Sequence, residues 1–322
     1  MTVLWVLVLL SLIAASFTHT TRTEINLTRN RIETAEAEAL ADAGIYRAIL
    51  ALLSARTEGL FDRGMENLLQ LGTQNPAVAR RTIEDDLRRE MRAGNLAPEA
   101  EAMFQDGWRA DGTVYAWALG GAEVRISIHD ESGKIDLNAA PDELLRGLFL
   151  AAEWTGPDGE IAALSDRDAD ALVDAVRDYA DQDDLTRLNG AEDPDYAAAG
   201  LPWGAKDAPF AAVEELQQVL GMTPLFYQAV APALTVHSGL KGIDASVAPR
   251  AVLLALPGTD TEAVESYLNA RAGAPEGGGP AFVPAESFGA RSRSRVFTLR
   301  AEARLDEGAI FVREAVVALG GG

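Results

Sequence analysis

The sequence predicts an α+β protein: a long amino-terminal helix lies on an antiparallel sheet made of two hairpins, and a large all-α domain is inserted between the strands. Three observations carry the prediction. Ile32, Ala35, Ala39, Ala43, Tyr46, Leu50 and Leu53 recur at three- and four-residue steps, the period of one helix face. Val124, Ile126 and Ile128 alternate with Arg125 and Ser127, and Leu299, Ala301, Ala303 and Leu305 recur at every second position, the period of strands with one wet face. Between these runs, from about residue 135 to 272, the spacing turns helical.

Taken in order, residues 3–17 (VLWVLVLLSLIAASF) form an uncharged apolar run, and the first acidic residue is Glu24. A spanning helix needs roughly 20 apolar residues, and a secretory signal needs a basic start. This run is shorter and has no Lys or Arg before it, so a basic leader would lie upstream. No proline occurs before Pro76, and the run reads straight into the amphipathic stretch as one helix, about 75 Å long if it reaches residue 53. The expectation is a membrane anchor over residues 1–20 whose continuation lays the Ile32 to Leu53 stripe on the globular body. A cleaved signal followed by a separate helix is the other reading.

Residues 56–96 read as a charge-rich connector with a helix at 78–91. One hairpin pairs 113–119 with 123–129 around Gly120 and Gly121; the other pairs 296–305 with 310–319 around Asp306, Glu307 and Gly308. Helices are expected at 169–179, 212–220, 224–231 and 261–272, and 273–294 is a flexible return. The body is then 21–134 with 273–322, and the insert is 135–272. Within it, IDLNAAPDELLRGL at 135–148 aligns with IDASVAPRAVLLAL at 243–256, a constant offset of 108. Each copy enters a helix through a polar turn, with Pro141 or Pro249 in the first turn where a missing N–H costs little. The insert therefore divides into two halves of SAM or helix-hairpin-helix type, and LPGTDTEAVESYLNAR at 256–271 resembles a helix-hairpin-helix turn.

Composition narrows the chemistry. With 322 residues, 48% of them hydrophobic, the chain can bury a sizeable core, and 49 acids against 28 bases leave a net charge of -21. That charge opposes phosphate backbones and anionic lipid, so nucleic acid is not an expected partner. No cysteine and three scattered histidines exclude disulfides, thiolate nucleophiles, zinc knuckles and iron–sulfur clusters; an oxygen-only, calcium-like site is what remains. No nucleophile elbow, HExxH or phosphate loop occurs, and His129 beside Asp130 is a base without a partner motif. The chain does not read as an enzyme.

Residues 173–196 (VDAVRDYADQDDLTRLNGAEDPDY) set Asp174, Asp178, Asp181, Asp183, Asp184, Glu192, Asp193 and Asp195 against only Arg177 and Arg187. Such density repels itself unless it is solvated or holds a cation, and both readings stand here. An EF-hand is excluded, because Leu185 and Thr186 fall where its loop needs a ligand and a glycine.

Several stretches together resemble one family, the minor pseudopilins of the K type in type II secretion: the apolar start fused to a long helix, DESGKIDLNAAPDELL at 130–145, GAEDPDY at 190–196, and APFAAVEELQQVLGM at 208–222. The resemblance implies a type IV pilin-like fold carrying a helical insert. It implies a subunit of the bacterial inner membrane, single-pass, with most of its chain in the periplasm. Minor pseudopilins I and J and the major pseudopilin would be its partners, with a prepilin peptidase acting if a leader precedes Met1. It would cap the pseudopilus tip and support export of folded proteins across the outer membrane. The family's calcium sites lie in the helical domain, so Asp178, Asp181, Asp183, Glu192 and Asp193 become candidate ligands of a structural Ca2+, and Asp207 stands where the family often has asparagine. Tyr179 replaces the family's usual tryptophan. Two other classes remain open: a nucleic-acid-binding helix-hairpin-helix protein of the competence type, which the -21 charge opposes, and a periplasmic hydrolase using the carboxylate cluster.

Overall fold

The computed structural model describes residues 5, 10, 24, 27–53, 108–119, 122–274, 282, 288–290, 296–306 and 308–319. A helix, α1, spans 27–53. Strands β1 (Asp111–Leu119) and β2 (Ala122–Asp130) follow, then a 3-10 turn (Glu131–Gly133), β3 (Ile135–Asp136), α2 (Asp142–Ala151), β4 (Glu153–Thr155) and β5 (Ile161–Ala163). Next come α3 (Asp166–Ala180), α4 (Asp193–Ala198), a 3-10 stretch (Val213–Gln218), α5 (Pro224–Val230), β6 (Leu234–Thr235), α6 (Arg250–Leu254) and α7 (Thr261–Ala272). Strands β7 (Val296–Arg304) and β8 (Ile310–Ala318) close the chain. The apolar run at 3–17, apart from the helical Trp5 and Leu10, lies outside the described residues, as do the connector and the helix expected at 78–91. Among the described residues no helix is long and apolar enough to cross a membrane.

The main sheet has the order β1-β2-β7-β8, so the chain leaves it after β2 and rejoins it beside the same strand. Residues 120–121 join β1 to β2, and a turn closed by Leu305 N–H to Ala309 O at 2.9 Å joins β7 to β8; connections this short require antiparallel pairs. The intervening stretch is helix-rich rather than all-α: β3 pairs in parallel with β6, and β4 pairs antiparallel with β5. The apolar spacing gave no sign of these ladders, because two- and three-residue strands are too short to show a period of two. The stretch expected as a helix at 212–220 closes as a 3-10 coil over Val213–Gln218.

The chain forms two compact units: residues 1–108 with 114–127 and 299–315, and residues 109–113 with 128–298 and 316–322. In the first, α1 buries Ala37, Ala41, Gly44, Ile45 and Ala48. A Cβ on Gly44 would stand 2.8 Å from Ala301 Cβ and 3.0 Å from Val124 Cγ1, so helix and strands approach as closely as a bare glycine permits. Arg313 of β8 secures the contact with 2.7 Å bonds to Asp42 and Glu38. This reverses the sequence expectation. The stripe expected to face the body is outward: Ile32, Tyr46 and Leu50 are 62%, 68% and 53% exposed, and Ala35 and Ala39 are exposed with them. Both faces have helical spacing, and the larger side chains favoured the wrong one; close approach to a sheet selects small residues.

The second unit packs around Leu144, Leu148, Phe149, Val176, Tyr196, Leu216, Phe226 and Val252, all nearly inaccessible. Phe226 lies edge-on to both Phe149 and Trp154, at 5.5 and 5.0 Å between ring centres. The sequence repeat is also a repeat of structure. Pro141 and Pro249 cap α2 and α6 with the same backbone angles, φ -68 and ψ 159 in one and φ -69 and ψ 159 in the other. Asp136 accepts from the Asn138 N–H at 2.9 Å and Asp244 from the Ser246 N–H at 3.0 Å, the same aspartate turn. Ile135 pairs in parallel with Leu234, and Ile243 with Gly289.

Candidate metal centre

Helix α3 begins with Ser165, whose hydroxyl accepts from the Asp168 N–H at 3.2 Å, and ends by delivering Asp178 and Asp181 to its carboxyl-terminal turn. An anionic side chain there meets the negative end of the helix dipole, the opposite of a stabilising placement. Asp178 is wholly buried. Its Oδ2 accepts from the Arg187 N–H at 3.0 Å and sits on Gly190, where any Cβ would collide with it. That contact explains the glycine in GAED.

Among the described residues three carboxylate oxygens are buried without a hydrogen-bond partner: Asp178 Oδ1, Asp181 Oδ1 and Glu192 Oε1. Burial pushes the Asp178 carboxyl up, and Asp181 adds repulsion. Burial also raises Asp181, with Asp183 and Asp207 repelling it. Glu192 is raised furthest, to about 7, by burial and then by Asp178, Asp181, Asp207 and Asp184. An orphaned buried carboxylate oxygen costs free energy unless a proton or a cation meets it.

Of the two cations in the segment, Arg177 does not reach the cluster and Arg187 relieves it only in part. Arg177 turns away to Asp142 at 2.7 Å, to Leu137 O at 2.9 Å and to Ala140 O. Arg187 gives its shortest ion pair, 2.9 Å, to Asp142 and stands 3.8 Å from Asp178. Lys206 bonds to Glu215 at 2.5 Å.

The structure thus gathers Asp178, Asp181 and Glu192 from the five expected residues. Asp183 is exposed, and its Oδ1 accepts from the Leu185 N–H at 3.0 Å. Asp193 Oδ1 accepts from the Ala205 N–H at 3.0 Å and rests on Gly204. Asp207 joins instead: its backbone is left-handed, φ 55, and its N–H and that of Lys206 both donate to Tyr179 O, at 3.2 and 3.0 Å. Aspartate and asparagine tolerate that conformation better than most side chains, in keeping with the asparagine the resembled family often has at this position. Among the described residues no three His, Asp or Glu side chains already stand in coordinating geometry. What the segment offers is an all-oxygen donor set with three orphaned oxygens beside the Gly190 cradle, the donor type a hard divalent ion takes, without coordinating geometry.

Residues 159–239, which contain this cluster, match the family model described as "Type II secretion system (T2SS), protein K". "Type II secretion system protein K" of Pectobacterium carotovorum subsp. carotovorum is 34% identical over 64 residues. That alignment takes in 20% of each chain, about a fifth of the relative's length. The family resemblance carried by GAEDPDY and the 208–222 motif is the one returned, over this segment. A solved chain from "The Crystal Structure of the GspK-GspI-GspJ complex from enterotoxigenic Escherichia coli Type 2 Secretion System" is 17% identical, with a TM-score of 0.45, and the match covers 77% of this chain and 95% of that one.

Proposed function

We propose that the chain is a minor pseudopilin of the K type, a non-enzymatic part of a type II secretion system that caps the periplasmic pseudopilus with minor pseudopilins I and J. In this reading the body is pilin-like, 135–272 is an inserted and mainly helical domain, and residues 1–20 anchor the chain in the inner membrane with the bulk periplasmic.

The observation that carries the reading is the outward stripe of α1. Ile32, Ala35, Ala39, Tyr46 and Leu50 are exposed, yet each repeats at helical spacing while the opposite face is already packed on strands. A second apolar stripe on a helix that already has a sheet beneath it suits neighbouring helices, with the alanines permitting close approach and Tyr46, Leu50 and Leu53 filling space. The family match over 159–239 supports the same secretion system. Expression in a secreting strain that lacks its own K subunit tests the reading. Wild type restores export, while Tyr46→Asp with Leu50→Asp accumulates normally and does not. Export restored equally by both would refute it.

A structural calcium ion belongs to the proposal. Asp178, Asp181, Glu192 and Asp207 would hold it, its charge offsetting their mutual repulsion and tying α3 to the turn before α4.

A further inference from the structure

In the second unit, α2 and α6 touch where Gly147 meets Ala255 O so closely that any Cβ would collide. On one side of that contact Leu144, Leu148, Val252 and Leu253 enter the core. On the other side lies an open groove of about 450 Å³, with Leu150, Ala151, Leu254 and Pro257 on its floor and Glu143 and Arg146 at its rim. These floor residues lie outside the 159–239 segment that matches the family.

We propose that this groove docks a segment of a partner protein that presents apolar side chains three or four residues apart, flanked by lysine or arginine. The volume falls in the range of binding clefts and exceeds what a single side chain fills. Glu143 and Ala151 lie two helical turns apart, about 12 Å, which matches two anchors on an opposing helix. The rim selects the charge. Arg146 is already held by Asp166 at 2.6 Å and Asp170 at 2.5 Å, one cation between two acids. Glu143 is exposed, and among the described residues it has no ion pair, so the rim is negative on a chain of net charge -21. An acidic segment would be repelled, and a wholly apolar one would bury Glu143 unpaired.

The proposal is independent of the pseudopilin reading, and its test uses the full chain in a neutral detergent at physiological salt. Three fluorescein-labelled peptides are compared by anisotropy: a helical peptide with two leucines four residues apart flanked by lysines, its twin with glutamates for lysines, and a scramble of the first that separates the leucines. The lysine peptide is expected to bind at least tenfold tighter than its twin and severalfold tighter than the scramble. Ala151→Trp, which fills the floor, removes the advantage over the scramble. Glu143→Lys, an exposed change, weakens the lysine peptide roughly two- to fivefold and strengthens the glutamate twin. Equal binding of peptide and scramble, or insensitivity to Glu143→Lys, would reduce the effect to bulk charge attraction and overturn the proposal. So would no binding of the lysine peptide at millimolar concentration.

Discussion

Replacing Glu192 by glutamine should stabilise the metal-free protein while removing its response to calcium. The Glu192 carboxyl is raised from 4.5 to about 7. An acid whose folded value lies above its unfolded value keeps more protons in the native state, so stability falls as pH rises from about 4.5 to about 7. At 1.36 kcal/mol per unit the cost approaches about 3 kcal/mol above pH 7, and Asp178 and Asp181 are shifted in the same direction. For a unit of this size that corresponds to roughly 6–12 °C in the unfolding midpoint. The assay is thermal unfolding between pH 4.5 and 8 with chelator and with millimolar calcium. In chelator, wild type should lose midpoint as pH rises, and Glu192→Gln should lose much less and lie above it at pH 8. Calcium should lift wild type most at high pH, where protons do not compete, and lift the variant little. A wild-type midpoint in chelator that is flat or rising across this range would refute the reasoning.

Other substitutions probe other links. Gly190→Ala places a methyl against the Asp178 carboxylate and should cost about 1–3 kcal/mol by displacing it, read from the midpoint with and without calcium. Gly44→Val should cost a similar amount in the first unit, because Ala301 and Val124 already stand against that position. Glu131 is buried and accepts from Lys134 at 2.6 Å and Thr298 at 2.7 Å. Burial pushes its carboxyl up, but the Lys134 charge, with Thr235 and Thr298, holds it below the ordinary value. Its stabilisation is therefore present above pH 4.5 and lost as pH falls through the lowered value. Glu131→Gln should cost about 1–3 kcal/mol in denaturant titration by leaving the half-buried Lys134 without its carboxylate, and adding Lys134→Met should recover much of it.

Much of the architecture was legible because hydrophobic period and turn chemistry agree with the fold. The hairpin strands lie within one or two residues of their expected limits, α7 spans the expected 261–272, and the IDxxxAP repeat recurs as a structural repeat. What failed did so for identifiable reasons. On α1 the stripe of larger apolar residues outweighed Ala37, Ala41, Gly44 and Ala48, yet only small residues let a helix lie this close to strands. The acidic segment was visible as a charge run, but composition could not show that Arg177 serves the turn before α2, nor that Asp207, on a left-handed backbone, adds to the repulsion at Glu192.

Assembly with the minor pseudopilins tests the central claim most directly. The chain, co-expressed with minor pseudopilins I and J of the same organism, is purified through a tag on J, and the mass of the eluted particle is measured by light scattering. A one-to-one-to-one complex is expected for wild type, with this chain alone lost when Tyr46→Asp and Leu50→Asp are introduced. Elution of I and J without the wild-type chain, or an intact complex containing the double variant, would contradict the account.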